Sequence, residues 1–265
     1  RSSIYAARRI LQAKVDSGIF EHPFGLPELM TGIGSKEHRE VARACVRESL
    51  VLLKNEHHAL PLALDIKKLT VVGAAADDLG IQCGGWSISW QGDKGNITSG
   101  GTTLLAAIKK NVSSKTIVTF SPDGKNISHA DCILVVVGET PYAETKGDRS
   151  ELSLSKADAA LVAAAKATGS PVVTILYSGR PLVLGDALKQ SDAFVAAWLP
   201  GTEGLGLTDV LFGDTAPTGK LPRIWPANVL HPSSDDAAKP LYQAGYGLAY
   251  GGNATQSATA SHETQ

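Results

Sequence analysis

Residues 138–154, GETPYAETKGDRSELSL, crowd Glu139, Glu144, Asp148 and Glu151 together with Lys146 and Arg149. Carboxyl groups on a loop can move protons. Glycoside hydrolysis needs two of them across the scissile bond, one acting as acid and then base. A glutamate serves as that acid when burial or its neighbours raise its pKa towards neutrality. On composition alone, a solvated charged turn tied by pairs such as Asp148 with Arg149 carries more weight. A second segment, 74–101, is long and glycine-rich and holds Trp86 and Trp90. Indoles displayed on such a loop can stack on the apolar face of a sugar ring. The alternative is that both are buried and brace the loop, which suits one of them better than both. A third pair of segments, SGRPL at 178–182 and LPGTEG at 199–204, holds Arg180, read as a tie between neighbouring loops.

Other chemistries find little support. His57 and His58 are adjacent and cannot share a helical face, and no CxxC or HExxH spacing occurs, so no metal site and no cofactor is expected. No GxSxG elbow is present. Without a GxGxxG or GxxxxGK[ST] at a strand-to-helix turn, a nucleotide site rests on topology alone. The formal net charge of −1 argues against nucleic acid or an anionic membrane as partner. No apolar run reaches the roughly 18 residues of a membrane span. Cys45, Cys83 and Cys132 form no disulfide framework, and Cys45 and Cys132 read as core thiols. Asn96, Asn111, Asn126 and Asn253 each open an N-x-S/T triplet, which are glycan acceptors only in a secreted eukaryotic protein.

The elements that must position these residues follow from periodicity. Residues 1–20 read as a helix stopped at Gly18, and 21–34 as a Pro- and Gly-rich linker. This pair is assigned to a preceding domain. Ser35 caps a helix expected to run to about Asn55, with Val41, Cys45, Val46, Leu50 and Leu53 on its apolar face. Short β-branched runs at 69–73, 116–120, 132–137, 172–177 and 194–198 read as strands apolar on both faces. Helical patterns at 103–111, 156–168, 182–189 and 204–211 alternate with them. The expected fold is therefore α/β, a three-layer αβα sandwich with a mostly parallel sheet, over residues 35–250. The polar tail 251–265 is expected to be disordered. In such a sheet, ligands sit beyond the carboxyl ends of the strands, where all three segments lie.

Several motifs together resemble the C-terminal α/β sandwich domain of family 3 glycoside hydrolases, of the β-glucan exohydrolase and β-glucosidase type. They are ESLVLLKN at 48–55, QCGGWSISWQG at 82–92, GETPYAETKGD at 138–148, GRPL at 179–182, WLPGTEG at 198–204, TGKLPRIWP at 218–226 and YGLAYG at 246–251. They stand in family order. RRILQAKVDSGIFEHPF at the start is similar to the last barrel helix and linker that precede this domain.

The resemblance implies a retaining, exo-acting hydrolase of terminal β-D-glucosyl residues, acting on β-glucans or β-glucosides. It implies an active site shared with an N-terminal (β/α) barrel, which supplies the aspartate nucleophile. Glu144 matches the acid/base, with Glu139 as second choice. Trp86 matches the tryptophan that clamps the aglycone sugar, and Trp90 and Arg149 are taken as further substrate contacts. Secretion or a periplasmic location is implied likewise. These residues alone are expected to be inactive, since the barrel aspartate is not among them. The competing expectation is a non-catalytic sugar-binding or barrel-stabilising module.

Overall fold

A computed structural model describes residues 2–228 and 240–251. All of the expected tail except Gly251 lies outside the described residues, as does Asn253. The chain divides into two compact units, one up to Val41 and one from Ala42. The division falls inside a helix, beyond the 34/35 boundary read from the sequence. In the first unit, α1 (Ser2–Asp16) is followed by a turn at Gly18, whose φ of 67° favours glycine, and a 3-10 turn spans Pro27–Gly32.

The second unit contains most of α2 (Lys36–Ser49), then β1 (Val51–Asn55), β2 (Lys68–Val72), α3 (Leu79–Cys83), α4 (Leu104–Asn111) and β3 (Ile117–Ser121). It continues with β4 (Cys132–Gly138), α5 (Lys156–Ala167), β5 (Val172–Tyr177), α6 (Asp186–Gln190), β6 (Ala193–Trp198) and α7 (Gly204–Leu211). A small antiparallel ribbon joins β7 (Trp225–Pro226) to β8 (Pro240–Tyr242).

The main sheet has the order β1-β6-β5-β4-β2-β3. All its pairs are parallel except β1 with β6. The period-2 alternation of each strand feeds two separate cores. On one face Val71, Leu134, Val136, Ile175, Tyr177 and Val195 pack with residues of α2, α4 and α7. On the other, Val72, Val135, Val137, Leu176 and Phe194 pack with Val162 and Ala165 of α5 and with Trp225. The result is the mostly parallel α/β sandwich that the alternation of elements predicts.

Four local expectations need correction. The helix from Ser35 stops at Ser49, and 51–55 is a strand, because the unbroken run Leu50 to Leu53 is buried throughout and pairs with β6. The helix expected at 182–189 is only Asp186–Gln190. Leu182 and Leu184 are buried in extended chain that bridges Ser153 to Val183, and Gly185 turns it with φ 54°. β3 is an edge strand and half exposed rather than covered on both faces. Cys45 is exposed, whereas Cys132 is buried and its thiol is pushed up to about 12, mainly by burial.

α2 is fastened to α7 by charge. Arg43 Nε donates to Asp209 at 2.7 Å and Arg47 Nη1 at 3.0 Å. Gly206 lets the two helices approach, since a Cβ there would sit 2.7 Å from Val46 Cβ. Among the described residues, no helix is long and apolar enough to cross a membrane.

Candidate active site

The loops leaving β2, β4, β5 and β6 meet at the carboxyl edge of the sheet, where open α/β sheets place their ligands. The β2 loop is shaped first by Asp78. Its carboxylate caps α3 by accepting from Ile81 N (2.9 Å) and also accepts from Gly95 N (2.8 Å), closing the loop back on itself. Gln82, fully buried, is the hub beneath it. Its amide donates to the carbonyls of Gly201 (2.7 Å) and Thr102 (3.1 Å) and accepts from Leu104 N (3.2 Å). It thus joins the loops after β2 and β6 to the start of α4.

Residues 84–92 form the rim of this loop. A Cβ on Gly85 would stand 2.0 Å from the carbonyl oxygen of Tyr142, so only glycine lets the rim touch the β4 loop. Trp86 and Ile88 adopt positive φ values of 60° and 66°, conformations costly for bulky residues. Both project outward, Trp86 at 69% and Ile88 at 80% exposure. Trp90 is half exposed, and its ring lies 6.3 Å from that of Trp86. Neither indole is a buried brace.

The two loops are laced together by one residue that sequence reading missed. Gln91 accepts from Ala143 N (3.0 Å) and donates to the Glu144 carbonyl (3.1 Å). Next to it, Trp90 Nε1 donates to Glu144 Oε2 at 2.6 Å. Glu144 itself is exposed, and its carboxyl is held below the usual range, first by the Trp90 hydrogen bond and then by its own backbone N–H, with Trp86 adding to the effect. Thr145, at φ 70°, turns the chain directly after it.

Glu139 has a different setting. It sits at the end of β4 with its side chain 10% exposed. Arg149 Nη2 (2.8 Å), Arg180 Nε (3.2 Å) and Nη2 (3.0 Å), and the Tyr142 hydroxyl (2.9 Å) all donate to it. Arg180 also donates to the Gly147 carbonyl (2.7 Å) and lies over the Tyr142 ring, 4.2 Å from its centroid. This is the loop tie read for Arg180 from the sequence. The Tyr142 hydroxyl stays protonated, pushed up to about 12 by burial and by the negative charge of Glu139. Of the residues singled out in the sequence, the fold therefore groups Trp86, Trp90 and Glu144 as one exposed set. It groups Glu139 with Arg149 as part of a half-buried ionic knot. Tyr142 and Gln91 lie in the motifs at 138–148 and 82–92 but were not singled out there, because their partners are set by the tertiary meeting of two loops.

Among the described residues no group of three or more His, Cys, Asp and Glu side chains is arranged to hold a metal ion. Chemically, the exposed set offers one ionisable carboxyl group beside two aromatic faces, suited to proton transfer at the edge of a bound ring.

Known proteins share this fold and much of this sequence. Residues 50–250 match the family model described as the glycosyl hydrolase family 3 C-terminal domain. A lysosomal beta glucosidase of Dictyostelium discoideum is 33% identical across 92% of the chain, which covers 34% of that protein. A periplasmic beta-glucosidase of Salmonella typhimurium is also 33% identical across 92%, covering 40% of its length. The chain thus spans between a third and two-fifths of these relatives. The crystal structure of an exo-1,3/1,4-beta-glucanase from a Pseudoalteromonas species superposes with a TM-score of 0.85 at 38% identity, over 98% of this chain and 35% of that one. A beta-glucosidase from Listeria innocua, solved with gluconolactone, gives 0.76 at 28% identity over 91% of this chain and 38% of that one. On the family match and the 33% identical relatives, the chain belongs to the glycosyl hydrolase family 3 C-terminal domain family.

Proposed function

We propose that this chain is the acid/base-bearing domain of a retaining, exo-acting β-glucosidase or β-glucan glucohydrolase, with the nucleophilic aspartate supplied by an N-terminal barrel domain. Glu144 is the acid/base. The observation that carries this reading is its 2.6 Å hydrogen bond from Trp90 Nε1, on an exposed loop flanked by Trp86. Glu139 is the poorer choice, because its carboxylate is already matched by two arginines and a tyrosine.

The chemistry divides in two. Glu144 protonates the leaving glycosidic oxygen while the barrel aspartate attacks the anomeric carbon. The Glu144 carboxylate then takes a proton from water as the glucosyl–enzyme bond is hydrolysed. Retention requires the two carboxyl groups to lie about 5–5.5 Å apart in the assembled site. Trp90's hydrogen bond favours the anion, so it stabilises the carboxylate that develops as the proton leaves and the base that follows. Holding the proton before the first step needs the opposite influence, and burial beneath sugar and barrel supplies it. Trp86 and Trp90 offer their faces to the aglycone sugar, and Arg149, anchored through Glu139, keeps donors for its hydroxyls.

Terminal β-D-glucosyl residues of β-glucans or β-glucosides are the substrates this reading assigns. The names of the lysosomal and periplasmic relatives support a secreted or periplasmic location. The test is the stereochemistry of product release. Proton NMR of laminaribiose hydrolysis by the barrel-bearing enzyme should show β-glucose first. Initial release of the α-anomer, or no release of glucose, would overturn the reading.

A further inference from the structure

The sheet order turns back between β2 and β4. The chain leaves β2 towards β3 on one side, while β4 lies on the other, so the loops that follow β2 and β4 part at their ends. Such a switch point opens a crevice in parallel sheets. Here it holds a cavity of about 560 Å³, within the range of small-ligand sites. Glu144, Trp86 and Trp90 do not line it; Arg149, proposed as a donor to the hydroxyls of the aglycone sugar, stands in its wall, so the crevice adjoins the proposed acid/base cleft without containing its acid or its indoles.

Four cationic side chains line this crevice, Lys94, Lys146, Arg149 and Arg180, against two carboxyl groups, Glu139 and Asp158. Glu139 is already shared by both arginines. Asp158 accepts from the Ser155 hydroxyl at 2.8 Å, and burial shifts its carboxyl towards the neutral form. Lys94 and Lys146 have no hydrogen-bond or ion-pair partner for their ammonium groups among the described residues. The crevice therefore has a surplus of positive charge on flexible arms. Its one aromatic ring, Tyr142, has a face taken by Arg180 at 4.2 Å and an edge against Gly147, so the crevice offers a neutral sugar little stacking surface beside its cationic lining.

We propose that this crevice is a second binding site, selective for a small oxyanion, either a phosphate or the carboxylate of an acidic saccharide, held between Lys94 and Lys146. The site stands independently of the role given to Glu144. Lys146 nevertheless lies on the same loop, so an occupant gripped there bears on the segment that carries Glu144.

Calorimetric titration of the full chain at fixed ionic strength tests this, with inorganic phosphate, glucuronate and glucose as probes. Saturable binding of at least one anion is expected, with glucose bound far more weakly. Tighter phosphate binding identifies a phosphate source, and tighter glucuronate binding an acidic saccharide. Replacing both lysines (K94M with K146M) should weaken anion binding by about tenfold, as expected for two part-exposed charge pairs. The same change at Lys67 and Lys68, which do not line the crevice, should leave it unaltered. Failure of both anions to saturate, glucose binding as tight as the anions, or equal loss in both lysine pairs would overturn the proposal.

Discussion

Trp90 and Glu144, 54 positions apart in the chain, are joined by a 2.6 Å hydrogen bond from indole nitrogen to carboxylate. The contact exists because Gln91 binds both Ala143 and Glu144 and because Gly85 admits Tyr142's carbonyl. The loops that follow β2 and β4 therefore behave as one unit, with consequences that can be measured.

Trp90→Phe removes the donor that contributes most to depressing the Glu144 carboxyl. In the isolated chain its pKa should rise towards the ordinary 4.5. The sign follows from linkage. A depressed pKa stabilises the fold above the unfolded value, and that contribution is lost as pH falls through the folded value. NMR titration of the Glu144 side-chain carbon reads the shift directly. An unchanged titration in the variant would mean that Trp90 does not govern the group.

Glu139 and Glu144 should separate cleanly in stability. Glu139→Gln leaves Arg149 and Arg180 around a neutral amide in a half-buried knot, at a cost of about 2–3 kcal/mol. For a unit of this size that lowers the thermal midpoint by roughly 5–10 °C. Glu144→Gln, on an exposed loop, should stay within about 0.5 kcal/mol of the parent. Thermal unfolding by circular dichroism decides, and equal midpoints for the two variants would contradict the division of roles.

Gly85→Ala places a methyl group 2.0 Å from the Tyr142 carbonyl oxygen, and backbone must move to relieve it. The expected cost is about 1–3 kcal/mol. The displacement should also part Trp90 from Glu144 and change tryptophan fluorescence. Parent-like emission and melting would show that the two loops are not in contact there.

Acid should loosen the α2–α7 joint. Burial raises the Asp209 carboxyl, but hydrogen bonds from Arg43 and Arg47 outweigh it and hold the group below its ordinary 3.8. Its stabilisation is complete above that value and disappears as pH falls through the lower, folded one. Asp209→Asn should cost about 2 kcal/mol at neutral pH and flatten the loss of stability below pH ~4. Denaturant midpoints followed against pH would show a parallel decline in both proteins if the joint were unimportant.

Much of this was legible in the residues. β2, β4, β5 and β6 declared themselves as short β-branched runs, and α7 as an apolar helix opened by glycine, because each is decided by local pattern. β1 was not legible. An apolar run continuing an amphipathic helix has no period of its own, and only pairing with β6 distinguishes strand from helix. The five-residue α3 is too short to show a period and exists through the Asp78 cap. At the site, residue types and strand-end position marked the two loops that hold Glu139, Glu144, Trp86 and Trp90, and the family resemblance chose among them. The resemblance ranked Glu144 ahead of Glu139, but the physical difference between them is long-range. Arg180, 41 positions away, holds one, and Trp90, 54 positions away, holds the other. Spacing along the chain carries no trace of either.

In the proposed function Glu144 delivers the proton to the leaving group. Its most direct test is leaving-group dependence in the barrel-bearing enzyme with Glu144→Gln. Cellobiose or laminaribiose, whose leaving alcohols need protonation, should lose about 10²–10⁴-fold in kcat/KM. An activated dinitrophenyl β-glucoside, whose leaving group departs unaided, should lose far less in its glycosylation step. If both substrates turned over at the parent rate, Glu144 would not be the acid.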